Sequence, residues 1–112
     1  MNVYDTANEL AQEIKKSEEY VNFKMAKEAL GLNPELKKKI EEFDLTKYEV
    51  QLTTMQTGKT DEEKNKKLQD LYSELIENQE AKKYLDAETQ FNILFSDVNK
   101  IIGEAVRDVF EK

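Results

Sequence analysis

The chain contains no cysteine and no histidine. Without cysteine there can be no disulfide, no thiolate nucleophile and no cysteine-ligated metal cluster. Without histidine the commonest general base near neutral pH and the commonest transition-metal ligand are also gone. Proline occurs once and glycine three times in 112 residues, which leaves little to interrupt helices. No apolar run approaches the roughly 18 residues of a membrane span. The opening MNVYDTANELAQEIKK lacks the basic and apolar regions of a signal peptide. A single helical domain over residues 1–112, in the cytoplasm, is the expectation.

What is present fits that outline. Charged residues make up 37% of the chain and hydrophobic ones 38%, and 5 Phe with 5 Tyr argue for a packed core rather than disorder. The formal net charge of −7 favours solubility and opposes unassisted binding to a phosphate backbone, so direct nucleic-acid binding is not expected.

Asn78 onward reads as the longest helix. Tyr84, Phe91, Leu94, Phe95, Val98, Ile101, Ile102, Ala105, Val106 and Val109 share one arc when set at helical spacing. The arc spans roughly 140°, wider than the ~100° stripe of a helix packed on one neighbour, which predicts contact with at least two other elements.

Earlier in the chain, Asn2 or Asp5 can cap a first helix carrying Tyr4, Ala7, Leu10, Ala11 and Ile14. Ser17, followed by Glu18 and Glu19, marks a second helix ending at Gly31, a plausible C′ glycine. Tyr20, Phe23 and Leu30 lie on one of its faces and Val21, Met25 and Ala29 on another, which predicts a helix wedged between neighbours. Asn33-Pro34 gives an N-cap with proline at N1, where its missing N–H costs nothing. The third helix runs to about Gln56, with Leu36, Ile40, Phe43 and Val50 as its core stripe. After Thr57-Gly58-Lys59, Thr60 and Glu63 form a capping box for a fourth helix striped by Leu68, Leu71, Tyr72, Leu75 and Ile76. The stripe loses phase near Asn78, which predicts a break there, one continuous bent helix being the alternative.

The predicted fold is therefore all-α: a helical bundle of two short N-terminal helices and longer antiparallel ones at about 34–56, 61–77 and 79–110. The last helix is expected to pack against the third and fourth.

Leu45, Tyr48, Leu52 and Met55 form a second apolar set on the third helix, nearly opposite its core stripe. Such a set more often marks a contact surface than an accident. Self-association, as a homodimer or higher homo-oligomer, is the first reading; another protein partner and cover from the chain's own short helices follow. Glu88 falls inside the arc of the last helix, between Phe95 and Val106 on the wheel. It reads either as a carboxylate snorkelling to water or as an acid meeting a cation across an interface.

Catalysis finds little support. Asp61-Glu62-Glu63 and Glu41-Glu42 lack the spacing of a calcium loop, so no metal or cofactor is assigned. Ser17, Ser73 and Ser96 have no histidine to activate them, and Gly58 sits in no glycine-rich phosphate loop. Lys37-Lys38-Lys39 and Lys64-Asn65-Lys66-Lys67 have glutamates at helical spacing, as on a solvated face. No catalytic residue is assigned.

The order of features carries a resemblance. Tyr4-Asp5-x-Ala7-x-x-Leu10 opens the chain, Ser17-x-Glu19-Tyr20 follows, and Phe43 begins a stretch ending Gln56-x-Gly58. The last helix holds Tyr84-Leu85-x-Ala87-Glu88-x-x-Phe91-x-x-Leu94 and Asp97-Val98-Asn99-x-Ile101-Ile102. In this order and spacing, over nearly the whole length, the chain resembles the bacterial YlbF/YmcA-like proteins and most of all their YheA-type branch. The resemblance implies an all-α fold of short and then longer helices, commonly associating as dimers or higher oligomers. Some members are non-catalytic partners in complexes that steer messenger-RNA processing by a membrane-tethered ribonuclease, affecting competence, sporulation and biofilm formation. That makes an accessory role in RNA processing or turnover the alternative to a general interaction module. Those members hold an iron–sulfur cluster through cysteines, which this chain lacks, so the cofactor is not carried over.

Overall fold

The computed structural model describes residues 2–111 and is helical nearly throughout. The elements are α1 (Val3–Lys16), α2 (Glu18–Gly31), α3 (Pro34–Thr57), α4 (Glu62–Ile76), α5 (Gln79–Ala105) and α6 (Arg107–Phe110), with no strand among the described residues. This is an all-α helical architecture.

The helix boundaries follow from side chains that satisfy end groups. Asn2 Oδ1 accepts from the Asp5 N–H at 2.9 Å and starts α1. Ser17 both stops α1 and starts α2. Its backbone is extended (φ −63°, ψ 148°); its Oγ donates to the Ile14 carbonyl at 2.6 Å and accepts from the Tyr20 N–H at 3.1 Å. Asn33 Oδ1 accepts from Leu36 N–H at 3.2 Å, with Pro34 at the first helical position. Asn78 Oδ1 accepts from Ala81 N–H at 3.0 Å, so the break between α4 and α5 falls where the stripe loses phase.

Three ends differ from expectation. Gly31 is the last residue of α2 and is not left-handed; Gly58 is the only positive-φ residue described. The α2 end is instead closed by short turns, Leu32 N–H to Ala29 O at 3.1 Å and Asn33 N–H to Leu30 O at 3.0 Å. Asn33 then begins the next cap at once, so no left-handed turn is needed. At α4 the cap is Asp61, not Thr60: the Asp61 carboxylate accepts from Lys64 N–H at 3.2 Å. A charged acceptor at the positive end of the helix outcompetes a neutral hydroxyl one residue earlier. The last helix does not run to 110. Val106 leaves helical geometry (φ −109°, ψ 8°), and α6 begins without a side-chain cap. Gly103 lowers helix propensity just upstream, and the exposed Ile101 and Ile102 give the final turns no anchor.

The chain divides into two compact units, and the boundaries fall inside α2 and α5. The unit Lys27–Tyr84 is built on the α3–α4 hairpin. Leu36, Ile40, Phe43 and Thr46 of α3, Leu75 of α4, Leu30, and Ala81 and Tyr84 at the start of α5 are its buried residues. Thr46 takes a core position because its hydroxyl donates to the Glu42 carbonyl at 2.9 Å, leaving no unsatisfied polar atom. The Phe43 and Tyr72 rings lie 6.0 Å apart. Three ion pairs mark the antiparallel register: Lys39 with Glu74 at 2.6 Å, Glu42 with Lys67 at 3.6 Å and Glu49 with Lys64 at 3.6 Å.

The other unit takes the residues up to Ala26 and from Leu85 onward. Its centre is aromatic. Phe91 of α5 meets Tyr20 edge-on at 5.9 Å and Phe23 at 5.7 Å, and stacks with Phe95 at 5.9 Å. Leu10 and Ile14 of α1 and Leu94 and Val98 of α5 are half-buried. Only the start of α5, up to Tyr84, falls in the same unit as α3 and α4.

Candidate interaction surface

The α3 helix has two opposed apolar faces. One is the hairpin core just described. On the other, Leu45, Tyr48, Leu52 and Met55 recur at steps of three and four residues, the a/d rhythm of a coiled-coil seam. At 100° per residue they occupy a strip roughly 80° wide, suited to one partner helix. All four are exposed: Leu45 58%, Tyr48 61%, Leu52 37% and Met55 83%.

The seam's surroundings are polar and mostly neutralised. Extending the same rhythm reaches Glu41 at one end and Lys59, just past the helix terminus, at the other; both are exposed. Glu49, on the flank, is already held by Lys64. Asp44, on the opposite flank, has its carboxyl pKa raised by loss of hydration, with Lys47 working the other way and Glu41 adding to the rise. The loop after the seam is built by Thr57, whose hydroxyl donates to Thr53 O at 2.7 Å and accepts from Lys59 N–H at 3.1 Å. Gly58 supplies the left-handed turn (φ 72°, ψ 4°), its N–H bonded to Thr54 O.

Glu88 is half-buried on α5, in the other unit. The arc around it is only partly covered. Phe91, Leu94 and Val98 are half-buried, whereas Phe95 is 49% exposed and Ile101, Ile102, Val106 and Val109 are exposed as well. Likewise Val21 and Met25 on the second face of α2 are open, so that helix is not wedged between neighbours. Helical periodicity finds such faces but carries no signal for whether anything covers them. Glu41 is a seam residue that sequence reasoning missed, although continuing the three-four count one step before Leu45 reaches it; Lys59 follows the helix end.

The lysine clusters are occupied differently from the expectation. Lys39, Lys64 and Lys67 pair with glutamates on the facing helix of the hairpin rather than one turn along their own. The hydrogen bond and charge of Glu74 hold the Lys39 ammonium above its ordinary pKa. A shallow depression of about 420 Å³ along α4 is lined by Glu63, Lys66, Lys67, Asp70, Leu71 and Glu74. Its lining mixes three acids and two lysines along a single helix and brings no nucleophile to a common centre. Among the described residues no three acidic side chains cluster to hold a metal ion. No helix there is long and apolar enough to cross a membrane.

These features define a small all-α protein whose most distinctive surface is apolar rather than catalytic. The chain belongs to the YlbF/YmcA family: residues 3–107 match the family described as control of competence regulator ComK, YlbF/YmcA. It is similar to a UPF0342 protein of Desulfitobacterium hafniense (strain Y51), with 39% identity over 109 residues, 97% of this chain and 88% of that one. A UPF0342 protein of Symbiobacterium thermophilum is 38% identical over 104 residues, 93% of each chain. One from Clostridium novyi (strain NT) is 34% identical over 110 residues, 98% of this chain and 96% of the relative.

Proposed function

We propose that the chain is a non-enzymatic, cytoplasmic interaction protein that works by self-association and by docking to other proteins. The observation that carries this reading is the seam of Leu45, Tyr48, Leu52 and Met55, four large apolar groups facing water on the side of α3 away from its core. Leaving such a face in solvent is unfavourable, and covering it is the simplest use for it. The absence of histidine and cysteine points the same way, since binding surfaces need neither. The family's description, control of a competence regulator, supports a regulatory rather than a catalytic role. Glu88 belongs to the other unit and is not counted in this surface.

Leu52→Glu tests the reading. It places a charge at the centre of the seam, in both copies of a dimer, where it would be desolvated without a partner. Light scattering is expected to report a lower molar mass at micromolar concentration, with the helical circular-dichroism signal near wild type because Leu52 lies outside the hairpin core. An unchanged oligomeric mass removes the seam from the argument.

A further inference from the structure

We propose that the partner on this seam is α3 of a second copy, lying antiparallel about a two-fold axis beside residue 50. This deepens the self-association reading above and rests on it. The first reason is the symmetry of the spacing. Leu45 and Met55 are equidistant from residue 50, and so are Tyr48 and Leu52. Antiparallel pairing therefore stacks Leu45 on Met55 and Tyr48 on Leu52, each layer occurring twice, as a two-fold contact requires. A broad ring meets a smaller side chain in every central layer. Parallel pairing would instead set Tyr48 against Tyr48.

Charge supplies the second reason. Glu41 and Lys59 end the seam and are also equidistant from residue 50. Antiparallel pairing brings each Glu41 to the end of the other copy's α3, where the chain leaves the helix through Gly58 and Lys59. Parallel pairing puts Glu41 beside Glu41 and Lys59 beside Lys59, and it also aligns the two helix dipoles unfavourably. The acid nearest the axis, Glu49, is held by Lys64 at 3.6 Å, which offsets repulsion from its own copy. Area is the third reason. With each side chain taken as roughly 200 Å², the exposed fractions leave about 500 Å² of seam per copy. Two copies bury about 1,000 Å² before any flanking residue is counted, the lower bound for a specific interface.

The natural chain has no cysteine, so single-cysteine variants give a clean test. In the antiparallel pair the two copies of residue 45 sit roughly 15 Å apart along the axis, as do the two copies of residue 55. A disulfide needs Cα atoms within about 7 Å. Leu45→Cys alone and Met55→Cys alone are therefore expected to stay uncrosslinked on mild oxidation, while their mixture forms a covalent dimer. A charge swap provides an independent measurement. Glu41→Lys and Lys59→Glu should each weaken the dimer, and the double variant should restore its mass. Crosslinking of each cysteine variant with itself would overturn the antiparallel pairing. So would an uncrosslinked mixture whose light-scattering mass is still dimeric, and in that case self-association itself would stand. A wild-type chain that is monomeric from micromolar to near-millimolar concentration would overturn both.

Discussion

Gly31 and Gly58 should respond to alanine in opposite directions, although both end a helix and neither has another group within 4 Å of where a Cβ would sit. Packing is therefore equal at the two sites, and backbone geometry alone decides the sign. Gly58 has φ 72° and caps α3 in the left-handed region. An L side chain there costs about 1–2 kcal/mol in the native state, offset in part by a stiffer unfolded chain. The net expectation is a loss of about 1 kcal/mol. Gly31 is the last residue of α2 with no positive φ, so alanine fits without strain. There the reduced freedom of the unfolded chain stabilises the fold by about 0.4–1 kcal/mol. For a chain of this size each kcal/mol moves Tm by about 4–6 °C, so the two variants should melt some 6–10 °C apart. The assay is thermal unfolding followed by far-UV circular dichroism, at one fixed protein concentration because association couples to stability. Gly58→Asn serves as a control, since asparagine tolerates the left-handed region better than alanine. Equal Tm values for Gly31→Ala and Gly58→Ala would refute the reasoning, because a steric account would then have to replace the backbone one.

Two further expectations concern polar groups. Asn78→Ala removes the cap on Ala81 N–H and should lower the denaturation free energy by about 1 kcal/mol, with Asn78→Asp retaining wild-type stability; equal denaturant midpoints for wild type and Asn78→Ala would count against the cap. Asp44 has a folded-state pKa raised above 3.8 by partial burial, so its contribution to stability is present at low pH and is lost as pH rises through the folded value. Asp44→Asn should accordingly raise Tm slightly at pH 7, and the gain should vanish below about pH 3.8; a gain that persists or grows in acid would show that the carboxylate is not the cause.

How much could be read without coordinates depended on the range of the interaction. Caps act over three residues, so Asn2, Ser17, Asn33 and Asn78 were legible, and each accepts the N–H three positions on. Where two good caps stood adjacent, as at Thr60 and Asp61, a pattern rule chose the neutral one while electrostatics favoured the charged one. Thr46 was invisible because a hydroxyl breaks an apolar stripe on paper. In the helix it satisfies itself on the preceding turn and packs as a core residue. Longer-range facts were less accessible. The wide arc on the last helix implied two neighbours, yet Ile101, Ile102 and Val109 face water.

That last contrast explains why the candidate surface was easier to recognise than the partner. Periodicity records which side of a helix avoids water, and this holds equally whether the cover is the same chain or another molecule. The α3 seam and the end of α5 are alike in this respect, but they differ in geometry. The seam is narrow and has mirrored spacing with opposite charges at its two ends, so its partner can be inferred from the seam itself. The α5 arc is wide: Phe95 and Ile101 bracket it, and no matching order of charges runs beside it. A surface that is complementary to its own copy carries information about what covers it, whereas one that is merely apolar does not. For this reason self-association is proposed through α3 and not through the last helix.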